Sequence, residues 1–420
     1  MDYIISEKDR KILRDAAKLQ LEYANKESNI QKRALWYLHN DLKGERPMVQ
    51  LELETFSHEV LPQRMQCEGD FARMIERNIR CNYLNQELFD DDRVTPDYYP
   101  MNYDTTFHLF DIEVKREYTR DAEGRRSVGH HFVPSISDLE EDYEKLKPSY
   151  FDVNLESTNQ KKAVIEDCIG DILLVKLQMD CLYSVPTQMI VHIMGMENMM
   201  YNMMDYPELF MEMMDRIADD TLAYYRMLEE KGLILPTTGH SKLGNGSWCY
   251  TNELPGEEEL SKRTLTTKDV WGFMDSQETV GISPAMFEKF IFPCYKRISE
   301  QYGLLSYGCC EPADPIWENC LSKLKNLRKL SISPWCNEEY MGEQLRGSNV
   351  IYYRKPSPNF LGVSKELDED AVRKHIDKTL MAAKGCKLEF AQRDVYTIHN
   401  NIPKAKRYVD IIKEEIEKYW

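Results

Sequence analysis

From residue 304 to the C-terminus the chain alternates short apolar runs with longer amphipathic ones. The runs 304–307, 328–333, 349–353 and 387–391 read as strands, and 314–324, 338–346, 368–383 and 402–418 read as helices. That alternation predicts parallel βα units, because a parallel neighbour requires a crossover long enough to hold a helix. Upstream, 47–53 alternates apolar and polar residues, and 171–176, 189–193, 233–235 and 270–274 are short apolar runs. With about eight strands in all, the expected fold is α/β, a (β/α)8 TIM barrel spanning 47–420. A helical extension precedes it at 1–46, with helical spacing over 6–43. A hairpin-like insertion at about 105–135 interrupts it, centred on Glu123-Gly124. In such a barrel the chemistry is placed at the C-terminal ends of the strands.

Composition narrows the function classes. The 420 residues carry a formal net charge of −17, which offers nucleic acid no basic face. The N-terminal residues are broken by charges and do not read as a signal peptide, and no run of about 18 apolar residues predicts a membrane span. Eleven cysteines without an export signal fit reduced thiols in a cytoplasm. The 21 methionines cluster at 194–204 and 211–214, where soft core packing and an adaptable docking surface are both readings. No Gly-x-Gly-x-x-Gly follows a first strand and no phosphate loop is present, so nucleotide-binding chemistry is disfavoured.

Three successive expected strands end in reactive or titratable residues. Gln277 and Glu278 follow the first, Tyr307-Gly308-Cys309-Cys310-Glu311 ends the second, and Trp335-Cys336 follows the third. Asp394 stands after the last strand, and Arg354-Lys355 ends the one before it. Carboxylates in a barrel mouth can act as acids, bases or metal ligands, so Glu278, Glu311 and Asp394 are the expected catalytic residues. A thiolate needs a lowered pKa, which a divalent metal supplies, and Cys309, Cys310 and Glu278 are the expected metal ligands. No Cys-x-x-Cys or His-x-x-x-His accompanies them, and buried structural cysteines are the alternative. A long glycine-containing loop follows 233–235, and loops of that length in α/β chains are commonly functional. Its His240 and Glu253 join Gln277, Tyr307, Trp335 and Lys355 as expected substrate-binding residues.

Several of these segments resemble the uroporphyrinogen decarboxylase-like superfamily, in a subgroup similar to corrinoid-dependent zinc methyltransferases. The resemblance rests on Tyr250–Pro255, Ser276-Gln277-Glu278-Thr279 with Ser283-Pro284, Tyr307–Pro312, Ser331–Trp335, Arg354-Lys355-Pro356 and Arg393–Thr397. It covers about residue 190 to the end and is weaker before that. It implies a (β/α)8 barrel whose mouth transfers a methyl group from a small O-, N- or S-methyl compound, as in anaerobic metabolism. The acceptor would be a corrinoid on a separate partner protein, and zinc or a protonating carboxyl would activate the leaving group. The chain departs from the family pattern in three places, one being that Asp394 rather than a third cysteine falls near the end of the last strand. No Arg-Gln-Ala-Gly-Arg occurs around 50–64, and Tyr307 stands where the zinc enzymes of the superfamily carry histidine. A decarboxylase or lyase acting on a polycarboxylate and a non-catalytic ligand-binding barrel are the alternative functions, and a homodimer is the oligomer considered.

Overall fold

The computed structural model describes residues 3–120, 127–244 and 246–420. Seven parallel strands form one sheet: β1 (Met48–Leu51), β2 (Leu182–Ser184), β3 (Trp271–Met274), β4 (Leu304–Tyr307), β5 (Leu327–Ile332), β6 (Ile351–Arg354) and β7 (Leu388–Gln392). Their spatial order is β1-β7-β6-β5-β4-β3-β2, so from β2 onward each strand lies beside its successor. Every strand from β3 to β7 is buried throughout, as expected where helices cover a parallel sheet. Because all seven run the same way, their C-terminal ends gather on one side of the molecule.

No strand pairing joins the outer strands β1 and β2 among the described residues. The turn at 241–248 lies between them. Lys242 pairs with Trp248, the Lys242 carbonyl accepts from the Cys181 N–H at 3.0 Å, and Trp248 Nε1 donates to Gln50 Oε1 at 2.9 Å. Lys329 Nζ, inside the sheet, donates to Ser247 Oγ at 2.7 Å. The turn thus ties β1, β5 and the entry to β2 together.

Local chemistry explains most element boundaries. Ser6 caps the helix Glu7–Ala24 by accepting from the Asp9 N–H, and a second helix, Glu27–Asn40, restarts after Lys26. The expected continuous helix over 6–43 is therefore two. Asn401 and Asp368 cap the helices Ile402–Tyr419 and Glu369–Ala382 in the same way.

Four further expected elements differ. The run 171–176 gives a strand, Leu174–Leu177, that pairs with Tyr98–Met101 and not with the main sheet. The run 189–193 is part of a helix, Pro186–Met194, with Pro186 in its first turn and Ile190, Ile193 and Met194 buried at helical spacing. An apolar run of five residues fits either periodicity, and here the proline start decides. The run 233–235 forms no strand. The expected helix 314–324 is two short 3₁₀ turns, Asp314–Ile316 and Leu321–Lys323, with Pro315 inside the first.

The inserted hairpin is present. Lys115–Arg120 pairs antiparallel with Ser127–Val133, setting Arg116 opposite Phe132 and Tyr118 opposite His130. Its expected turn at Glu123-Gly124 lies outside the described residues. Thr105–His108, also within the expected insertion, pairs instead with Tyr150–Val153.

Candidate functional site

The C-terminal end of β4 turns sharply at Gly308, whose φ of +99° favours glycine; a Cβ there would stand 2.9 Å from Ser331 Cβ. The turn points Cys309 and Cys310 toward the end of the sheet and fixes Glu311 beneath them. Glu311 accepts from the Ser276 N–H and from the Cys309 N–H, both at 2.9 Å, and so fastens the ends of β3 and β4 together. Lys355, just past β6, donates to the carbonyls of Gly308 and Cys309 at 3.2 and 3.3 Å, and Ser331 Oγ donates to the latter at 2.7 Å.

The two thiols are in contact, with Sγ atoms 3.5 Å apart, and Cys310 Sγ donates to Asp394 Oδ2 at 3.5 Å. Arg393 Nη1 donates to Cys309 Sγ at 3.7 Å. Arg393 is held by Glu52, past β1, through an Nε–Oε1 bond of 3.1 Å. Asp394 has φ +56°, a left-handed conformation rare for a residue with a side chain and common at functional sites. The contact with Cys310, aided by the Lys355 and Arg393 charges, pulls the Cys309 thiol down to about 6 against its burial. The same contact, with burial, raises Cys310.

Glu278 sits on a 3₁₀ turn after β3. Thr187 Oγ1, on the helix after β2, donates to its Oε2 at 2.8 Å, and Thr187 in turn contacts Tyr295 OH at 2.9 Å. Burial, with a contribution from Glu311, raises the Glu278 carboxyl above its ordinary value. Asp275, the first residue beyond β3, is raised well above its own by burial, Glu311 and Cys309. Carboxyls crowded in a half-dry site favour the neutral acid.

These groups open onto a cleft of about 930 Å³. Gln277, Glu278, Cys310 and Glu311 line its floor, Pro312, Val280 and Trp335 its rim, and Arg116, His130 and Phe132 of the hairpin its roof. Phe132 stacks on His192 with centroids 4.1 Å apart, and Arg116 lies 4.9 Å over the Phe132 ring. Burial, with Arg116 and His130 nearby, pushes His192 down to about 4, so it is neutral at physiological pH.

The expected site residues separate into three groups. Gln277, Glu278, Cys310, Glu311 and Trp335 meet in the cleft, with Trp335 75% exposed at its rim. Cys309, Asp394, Lys355 and Tyr307 lie directly behind it. Tyr307 is fully buried and shares a 2.6 Å hydrogen bond with Ser276 Oγ. Glu253 and His240 are elsewhere. Glu253 binds Arg328 at 2.7 Å, near the start of β5 and so at the opposite end of the sheet. His240 stacks on Trp248 at 4.2 Å and shares a 2.9 Å hydrogen bond with Tyr250 OH, lining a separate cleft of about 450 Å³. Cys336 is buried and accepts from the Ala313 N–H at 3.2 Å, while Arg354 is buried against the Ile332 and Ser333 carbonyls and Glu338.

Among the described residues no three His, Cys, Asp or Glu side chains gather as metal ligands would. Cys309 and Cys310 offer two sulfurs, but Glu278 is engaged by Thr187.

Asp275, Thr187 and the hairpin residues escaped sequence reasoning. Asp275 had a usable signal, since it is the first residue past a strand that was recognised. Thr187 had none, because its partner Glu278 is 91 residues away.

No family model and no curated protein matches the sequence. Among solved structures, a methyltransferase from Methanosarcina mazei aligns at a TM-score of 0.49 and 11% identity, covering 92% of this chain and 98% of that chain. A likeness of that degree says nothing about the reaction performed in this cleft. No helix among the described residues is long and apolar enough to cross a membrane.

Proposed function

We propose that the chain is a methyltransferase that takes a methyl group from a small O-, N- or S-methyl compound in the cleft under the hairpin and passes it to a corrinoid carried by a separate protein. The observation that carries this reading is the carboxyl of Glu278, raised above its ordinary value by burial and facing that cleft. An alkoxide, amide or thiolate leaves poorly unless it is protonated as the methyl–heteroatom bond breaks, and a neutral carboxylic acid supplies that proton. Thr187 orients the carboxyl through Oε2. Phe132, Pro312, Val280 and Trp335 give the cleft an apolar lining against which the methyl compound can lie.

The exposed apolar residues around the opening, Trp335, Val280 and Met196, suit the seating of a protein that carries the methyl acceptor. A polycarboxylate substrate finds less support: Arg116 is the one Lys or Arg in the described lining. Lys355 is spent on backbone carbonyls, and Arg393 on Glu52 and Cys309.

The test supplies purified protein with a reduced corrinoid and a panel of methoxylated, methylamine and methylthio compounds, and follows methylcorrinoid formation. At least one compound is expected to react, and Glu278→Gln to lower the rate by about 10²–10⁴-fold with the fold intact. A Glu278→Gln variant as active as the wild type, or no reaction across the panel, would overturn the reading.

A further inference from the structure

The vicinal thiols at the end of β4 play no part in that reaction, yet their arrangement is specific. Across a trans peptide the Cα atoms of neighbouring residues lie ~3.8 Å apart, short of the ~4.4 Å that disulfides span at least. The sulfurs are held at 3.5 Å, a distance for bridging one atom rather than for bonding to each other. Cys310 lines the cleft, and Cys309 lies just behind it at 6% exposure. A four-coordinate metal would need further ligands, and the described residues gather no group of three or more His, Cys, Asp or Glu donors placed to hold one. What two sulfurs can satisfy alone is a pyramidal three-coordinate centre that brings its own third substituent.

We propose that Cys309 and Cys310 form a capture site for trivalent monoorganoarsenicals, R–As(OH)₂, with the organic group R lying in the cleft against Pro312, Val280 and Trp335. The ligand is neutral, so the nearby Glu311 and Asp394 carboxyls do not repel it. One sulfur, as thiolate, attacks arsenic; an As–S bond forms, an As–O bond breaks, and the hydroxide leaves as water with the proton of the other thiol. The second sulfur then attacks, and the second hydroxide leaves as water with a proton from solvent. Arsenic stays trivalent throughout, two waters are released, and no oxidant or reductant is needed.

The test treats the full-length protein with phenylarsine oxide and then washes it with excess glutathione. Mass spectrometry of the intact chain and of its proteolytic peptides reads what remains. One arsenical per chain is expected, mapped to the peptide carrying Cys309 and Cys310 and removed by a small dithiol. Cys309→Ala and Cys310→Ala are each expected to weaken retention by ~10²–10⁴-fold, the advantage of a second tethered contact. Peptide mapping on the wild type needs no variant and so stands even if a variant misfolds. No retained arsenical, mapping to another pair such as the buried Cys181 and Cys249, or full retention in folded single variants would overturn the proposal.

Discussion

Cys309 and Cys310 are chemically identical neighbours pushed in opposite directions: their mutual contact and the Lys355 and Arg393 charges lower Cys309, while the same contact, burial and Asp394 raise Cys310. Alkylation of Cys309 by iodoacetamide, followed by peptide mapping, is expected to rise with pH through a midpoint of about 6, whereas an ordinary thiol titrates at about 8.5. A midpoint above 8 would show that the contact and the nearby cations do not favour the Cys309 thiolate. Deeper in the sheet, Lys329 Nζ meets Glu389 Oε2 at 2.6 Å, with both side chains fully buried. Burial alone would raise the Glu389 carboxyl, but Lys329 and His39 outweigh it and bring it to about 2. A carboxyl lowered on folding stabilises the fold above its unfolded pKa of about 4.3, and that contribution fades as pH falls toward 2. Lys329→Met strands a buried carboxylate and is expected to cost about 3–5 kcal/mol in urea unfolding at pH 7. A cost under about 1 kcal/mol would mean that the pair is dispensable.

Among the elements after residue 304, the strands and every expected helix except 314–324 follow their periodicity closely; the strand expected at 304–307 is Leu304–Tyr307. Long amphipathic helices and strands ending at glycine or proline announce themselves locally, so the parallel architecture was legible. The short runs at 189–193 and 233–235 were not, since four or five apolar residues carry no decisive period and packing chooses their conformation. The site was legible to the same extent. Residues next to strand ends, such as Glu278, Cys310 and Asp394, could be placed from chain order, whereas Glu253 and His240 sit on a loop whose path only tertiary contacts determine. The hairpin was visible as an insertion, but nothing in its sequence showed that Arg116, His130 and Phe132 face the cleft. Its aromatic contact with His192 is worth roughly 0.5–1.5 kcal/mol beyond area burial. Phe132 also lines the cleft, so Phe132→Ala is expected to raise KM by up to about tenfold and to lower stability by no more than roughly 0.5–1.5 kcal/mol. An unchanged KM would remove the hairpin from substrate binding.

At the scale of the whole molecule, seven parallel strands bring residues from 52 to 394 to one end of a single sheet. Carboxyls, thiols and cations of distant origin are thereby concentrated there, and the turn at 241–248 holds the outer strands together at the side. Gln50→Ala removes the acceptor of Trp248 Nε1 and is expected to destabilise the protein by about 1–3 kcal/mol, the cost of an unmade buried bond; denaturant unfolding checks this. The proposed chemistry depends on that gathered end supplying a neutral acid to the cleft. The protonation of Glu278 is read most directly by ¹³C NMR titration of carboxyl-labelled glutamate, with Glu278→Gln assigning the resonance. A midpoint clearly above the ordinary 4.5 is expected. An ordinary or lowered midpoint would leave the cleft with a carboxylate at neutral pH and would contradict acid-assisted methyl transfer.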